Sequence, residues 1–141
     1  MRTGDGWMRV TTGRERWHEP ELAPDGRRVA VLGEQVGLAV FPVGRGEARY
    51  LGPASHAAFS PDGRWLVFDR IRGSEDAPRA SELAALAVES GRAWNLTQTR
   101  DRIERRPELS PDGRALCFDA GGAIWIATFT VRERKGEEKP K

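Results

Sequence analysis

Cysteine is almost absent from this chain. The single one, Cys117, excludes an internal disulfide, so packing alone must hold the fold. It stands in the apolar run Leu116-Cys117-Phe118, where a thiol acts as a small hydrophobe and is expected to be buried. Only two histidines occur, His18 and His56. A metal site needs a third ligand in fixed geometry, so no metal and no other cofactor is expected. The sequence has no Gly-x-Ser-x-Gly, Cys-x-x-Cys or His-Glu-x-x-His, and no glycine loop of the phosphate-binding kind. No catalytic residue is assigned. No apolar run approaches the roughly 20 residues of a membrane span, and Met1 to Val10 lacks the apolar centre of an export signal. A cytoplasmic chain without a membrane partner is therefore expected. A dominant charge is missing too: 23 Lys and Arg face 21 Asp and Glu, a formal net charge of +2. That balance carries no nucleic-acid footprint.

What the chain does have is one stretch that occurs three times. It reads Leu22-Ala23-Pro24-Asp25-Gly26-Arg27, Phe59-Ser60-Pro61-Asp62-Gly63-Arg64 and Leu109-Ser110-Pro111-Asp112-Gly113-Arg114. Pro-Asp-Gly is turn chemistry. Proline presets φ, aspartate bonds back to its own backbone, and glycine takes a positive φ without a Cβ clash. The structural turn residues are thus Asp25, Gly26, Asp62, Gly63, Asp112 and Gly113. A β-prone run follows each turn: Val29–Leu32, Trp65–Phe68 and Ala115–Phe118. Apolar run, tight turn and apolar run together make a hairpin.

The three prolines are spaced by 37 and 50 residues, bracketing the roughly 40–45-residue period of four-stranded propeller blades. The fold class is therefore all-β, a β-propeller with three four-stranded blades per chain. One domain spans 6–129, with blade one at 18–51, blade two at 55–97 and blade three at 105–129. Residues 130–141 form a charged, solvated tail. The longer second interval is assigned to a loop from Arg70 to Ser81. Ala80–Glu89 has helical propensity, but it occupies the slot of a third strand and is read as one. Blade three runs out before a fourth strand, whereas the N-terminus has one to spare. Trp7 precedes Pro24 by 17 residues, as Trp94 precedes Pro111. Gly6–Thr11 therefore reads as a closing strand. Three blades make half of a six-bladed ring, completed by a two-fold homodimer in which 6–11 pairs with the partner's third blade.

The repeats resemble those of the TolB-like propeller family, whose core reads Ser-Pro-Asp-Gly-Lys/Arg followed by an apolar strand ending in Phe. Ser60–Phe68 and Ser110–Phe118 fit that pattern. The first copy departs, with Ala23 for serine and Leu32 for phenylalanine. The resemblance implies a propeller, usually of six blades, and a protein-binding role or the gating of a peptidase.

First strands line a propeller's channel, and the Pro-Asp-Gly turns lie at one mouth. The other mouth is expected to carry His18, Glu19, His56, Asp69, Arg70, Arg105, Arg106 and Asp119. His18 and His56 are read as related positions in blades one and two, with Arg105 and Arg106 in blade three. This mixed-charge mouth suits an anionic small molecule or a peptide carboxylate. The first reading is a non-catalytic module that binds a protein, peptide or small ligand there. A channel enzyme of the six-bladed lactonase or lyase kind is the second, and a structural assembly subunit without ligand is the third.

Overall fold

The computed structural model describes residues 6–74, 77–98 and 102–128. All regular structure among them is strand. Blade one comprises β1 (Trp17–Leu22), β2 (Arg28–Gly33), β3 (Gly37–Pro42) and β4 (Arg49–Gly52). Blade two comprises β5 (Ala54–Phe59), β6 (Trp65–Ser74), β7 (Ala77–Ala87) and β8 (Ala93–Asn95). Blade three comprises β9 (Glu104–Leu109), β10 (Ala115–Ala120) and β11 (Ala123–Thr128). The sheets are antiparallel meanders, two of four strands and one of three. No helix is present among the described residues, so none is long and apolar enough to cross a membrane.

The turns form as their chemistry dictates. In blade two, Gly63 N donates to Ser60 O at 2.8 Å and Arg64 N to Asp62 Oδ1 at 3.0 Å. The Ser60 hydroxyl donates to Asp62 Oδ1 at 2.6 Å and accepts from Trp65 N at 3.0 Å. Blade three repeats this with Ser110, Asp112 and Ala115. Blade one keeps the Asp25 bond to Arg27 N at 2.9 Å, but Ala23 has no hydroxyl to offer. Gly26, Gly63 and Gly113 all sit at φ near +70°. Neighbouring turns touch: a Cβ on Gly63 would lie 3.7 Å from Pro24 Cδ, and one on Gly113 3.9 Å from Pro61 Cδ.

Burial follows the period-two alternation of strands. Ala30, Leu38 and Val40 of blade one meet Phe59, Leu66, Phe68, Ala84 and Leu86 of blade two. The other face of blade two, with Val67, Leu83 and Ala85, meets Leu116, Leu109 and Phe118 of blade three. Small alanines at both seams let the sheets approach closely.

Three expectations need correction. Arg70–Ser81 is not a plain loop. The β6–β7 hairpin continues through it, with Arg70 opposite Glu82, Ile71 opposite Ser81 and Arg72 opposite Ala80. The inserted residues lengthen a ladder because pairing them satisfies backbone groups that a loop would leave to water. Cys117 is only half-buried, because alternation turns it away from blade two. Blade one opens with β1 at Trp17, one residue before its expected start at 18. Gly6–Thr11 makes no ladder within the chain. The tail from 130 and Phe129 lie outside the described residues.

Candidate functional site

Each first strand is interrupted by a β-bulge: β1 between His18 and Glu21, β5 between Ser55 and Ala58, and β9 opposite the Cys117–Asp119 step of β10. At each bulge one non-glycine residue sits in the left-handed region: Glu19 at φ 50°, His56 at 45° and Arg106 at 53°. Each stands five residues before its turn proline. The equivalence therefore differs from the expected pairing of the two histidines. His56 corresponds to Glu19 and Arg106, while His18 corresponds to Ser55 and Arg105. Such conformations cost about 1–3 kcal/mol each and persist where surrounding structure imposes them.

What imposes this one is Asp69, midway along β6 and 1% exposed. Its Oδ1 accepts from the Ser55 hydroxyl at 2.5 Å. Its Oδ2 lies 2.7 Å from His56 Nδ1 and accepts from the Arg106 backbone N at 3.1 Å. One buried carboxylate thus fixes the bulges of blades two and three together. The hydrogen bond to Asp69 raises the His56 pKa above its ordinary 6.5, against a lesser opposing effect of burial. Glu19 supports the raised value and Arg106 opposes it, which brings all three bulge residues within one electrostatic neighbourhood. Arg106 Nη1 reaches Asp119 Oδ2 at 3.3 Å. His56 Nδ1 is engaged by Asp69, and Nε2 has no hydrogen-bond partner among the described residues. Ser55 Oγ also lies 3.0 Å from His56 Nδ1, so hydroxyl, imidazole and carboxylate form one closed hydrogen-bonded cluster.

The remaining expected residues divide. His18 Nδ1 lies 3.9 Å from Glu19 Oε1, and Arg105 is opposite Asp119 in the ladder. Arg70 turns away: its guanidinium donates to Asn95 Oδ1 at 3.2 Å and stacks over Phe68. Beyond the expected set, Asn95 Nδ2 and Arg72 both hold buried Glu82, and the Thr97 hydroxyl donates to buried Glu104 across the seam between blades two and three. Ser55 is the partner that sequence reasoning missed; only its place opposite Asp69 in the hairpin register marks it. On β1, burial and then nearby Glu108 of β9 raise the Glu21 carboxyl above its ordinary 4.5. The described residues contain no group of three or more His, Cys, Asp or Glu able to hold a metal. A cleft of about 190 Å³ lies elsewhere, between blades one and two, where Arg28 faces Glu89 at 3.7 Å.

Comparison with known proteins agrees with this architecture. The chain superimposes on the β-propeller domain of the trilobed protease from Pyrococcus furiosus, with a TM-score of 0.61 at 17% identity over 81% of this chain and 39% of that one. This is a β-propeller fold. An oligogalacturonate lyase from Vibrio parahaemolyticus matches the propeller chain with a TM-score of 0.61 at 18% identity, over 90% of this chain and 40% of that one. A putative TolB from Agrobacterium tumefaciens gives 0.56 at 23% identity, over 74% and 38%. The chain thus spans about two fifths of the length of these structures. They include enzymes as well as a TolB-like protein, so the fold fits both kinds. No family model and no curated protein matches the sequence.

Proposed function

We propose that this propeller segment is a non-catalytic binding module of TolB-like kind, which holds a carboxylate-bearing ligand, such as a peptide end, at the channel mouth opposite the Pro-Asp-Gly turns. One observation supports the reading: three equivalent bulges carry Glu19, His56 and Arg106 at the same point of each first strand, with His56 and Arg106 both tied to buried Asp69. Asp69 favours the protonated imidazole, leaving Nε2–H as a donor beside a guanidinium that carries five donors and spends one on Asp119. Two adjacent cations aimed into one mouth suit an oxyanion, while Glu19 and Asp119 suit a nearby amine or amide. The ring framing this mouth is completed to six blades by a second copy.

Calorimetric titration with short peptides carrying a free C-terminal carboxylate, each paired with its amidated form, tests the reading. Free-acid peptides are expected to bind and the amides to bind at least tenfold more weakly. Replacing Arg105 and Arg106 together with Ala should abolish binding while leaving the melting temperature near that of the parent. Equal binding of acid and amide, no saturable binding of any acid, or unchanged affinity in the double variant would overturn it.

A further inference from the structure

Among the described residues, five of the six most exposed large apolar side chains fall in the first and last parts of the three-blade segment, Tyr50 being the sixth. At one end, Trp7 is 95% exposed, and Met8 and Leu22 are also exposed. At the other, Ile124 and Ile126 of β11 are each 73% exposed, with Trp125 beside them. Their positions in the repeat explain why. Leu22 occupies the slot that Phe59 fills in blade two, where it is 7% exposed against 61% for Leu22. Phe59 packs on the preceding blade, whereas no blade among the described residues covers Leu22. Ile124 and Ile126 occupy the slots of Leu83 and Ala85, which pack on the following blade. Each open face therefore has the pattern that the other face meets elsewhere in the same chain.

We propose that these ends meet in a second copy of the chain, residues 6–10 of one copy forming the fourth strand of blade three in the other. The repeat fixes the register. In blade two, Ala84 pairs with Asn95, Ala85 with Trp94 and Leu86 with Ala93. Transferred to blade three through the turn prolines, Trp125 pairs with the partner's Met8, Ile126 with the partner's Trp7 and Ala127 with the partner's Gly6. The segment already stands where this requires. In blade two, Thr97 follows β8 and bonds to Glu104 at the start of blade three. The equivalent residues are Val10 and Trp17, and both pack on the Val31–Ala39–Phe41 face of blade one. Residues 6–10 thus bear the relation to blade one that a preceding blade's fourth strand must bear. Pairing covers the open edge of β11. Two such seams engage twelve exposed apolar side chains, at roughly 100 Å² each on the order of 1,200 Å², the lower bound of a stable specific interface. The second copy also brings its own Glu19, His56 and Arg106 to the channel mouth.

The test uses the full 141-residue chain. Light scattering of the unaltered protein at micromolar concentration should give twice the 15.7 kDa chain mass. In a Cys117→Ser background, Met8→Cys with Trp125→Cys should oxidise to a disulfide between two chains, because directly opposed strand residues have Cα atoms about 4.5–5.5 Å apart. Met8→Cys with Ile126→Cys, which places the thiols on opposite faces, should not. A monomer by light scattering, a disulfide within one chain, or equal cross-linking by both pairs would overturn the proposal. None of these readouts depends on what the mouth binds, so the failure of either idea is separable from the other.

Discussion

Replacing Ser60 with Ala is the perturbation whose size follows most directly from the structure, because the chain carries its own control. The hydroxyl makes two bonds, donating to Asp62 Oδ1 at 2.6 Å and accepting from Trp65 N at 3.0 Å. Net contributions of about 0.5–1.5 kcal/mol for each bond give an expected loss of about 1–3 kcal/mol. The fold around the turn should survive, since Ala23 occupies the same slot in blade one and its turn still closes through Gly26 N to Ala23 O at 2.8 Å. For a domain of this size the loss corresponds to roughly 3–15 °C in melting temperature. The reciprocal change, Ala23→Ser, should stabilise by about 0.5–1 kcal/mol. Urea denaturation of the parent, of each variant and of Asp62→Ala measures all three and, with the double variant, the coupling between Ser60 and Asp62. A neutral Ser60→Ala, or a Ser60–Asp62 coupling of zero, would refute the idea that the hydroxyl organises the turn.

Gly63→Ala should cost about 1–2 kcal/mol, because φ is +70° while the added Cβ meets only Pro24 Cδ at an ordinary 3.7 Å. Gly37→Ala should cost considerably more and will reveal itself in poor recovery of folded protein, since its Cβ would fall 2.0 Å from the Gly52 carbonyl oxygen. Thermal melts across pH should show two flanks. The His56 pKa is raised, so its contribution is full below about 6.5 and fades as pH rises through the higher folded value. The carboxyls of Asp62 and Asp112 are lowered, chiefly by the serine hydroxyls, so their contribution is present above about 3.8 and fades as pH falls through the lower folded values. His56→Ala should flatten the alkaline flank alone.

The repeat made the propeller architecture legible because Pro-Asp-Gly marks a turn by local chemistry, independent of tertiary context. It also overrode the helical propensity of Ala80–Glu89, which folds as strand up to Ala87 since its apolar residues must face two neighbouring blades. Lengths were less legible. Whether the extra residues after Arg70 pair or loop depends on cross-strand partners, and Gly73, Ser74 and Pro78 resemble loop composition. The site was half legible. Asp69 and Asp119 recur after Phe in two blades, but a bulge leaves no composition of its own. Nearness to the strand starts paired His18 with His56, whereas counting back from the turn prolines pairs His56 with Glu19, the strained position. Ser55 was invisible because a lone serine becomes informative only once the ladder sets it opposite a buried carboxylate.

The three bulges hold glutamate, histidine and arginine in nearly the same backbone conformation, between φ 45° and 53°. An acid, a neutral-to-cationic ring and a permanent cation are thereby interchangeable as far as the main chain is concerned, since the left-handed bend recurs whichever side chain it carries. The position works as a socket. Its occupant can be exchanged by single substitutions without altering the backbone bend itself, and each repeat offers one such socket. Diversification of ligand preference is thus least coupled to foldability at positions 19 and 106, whereas exchange at position 56 also removes the imidazole that buried Asp69 holds.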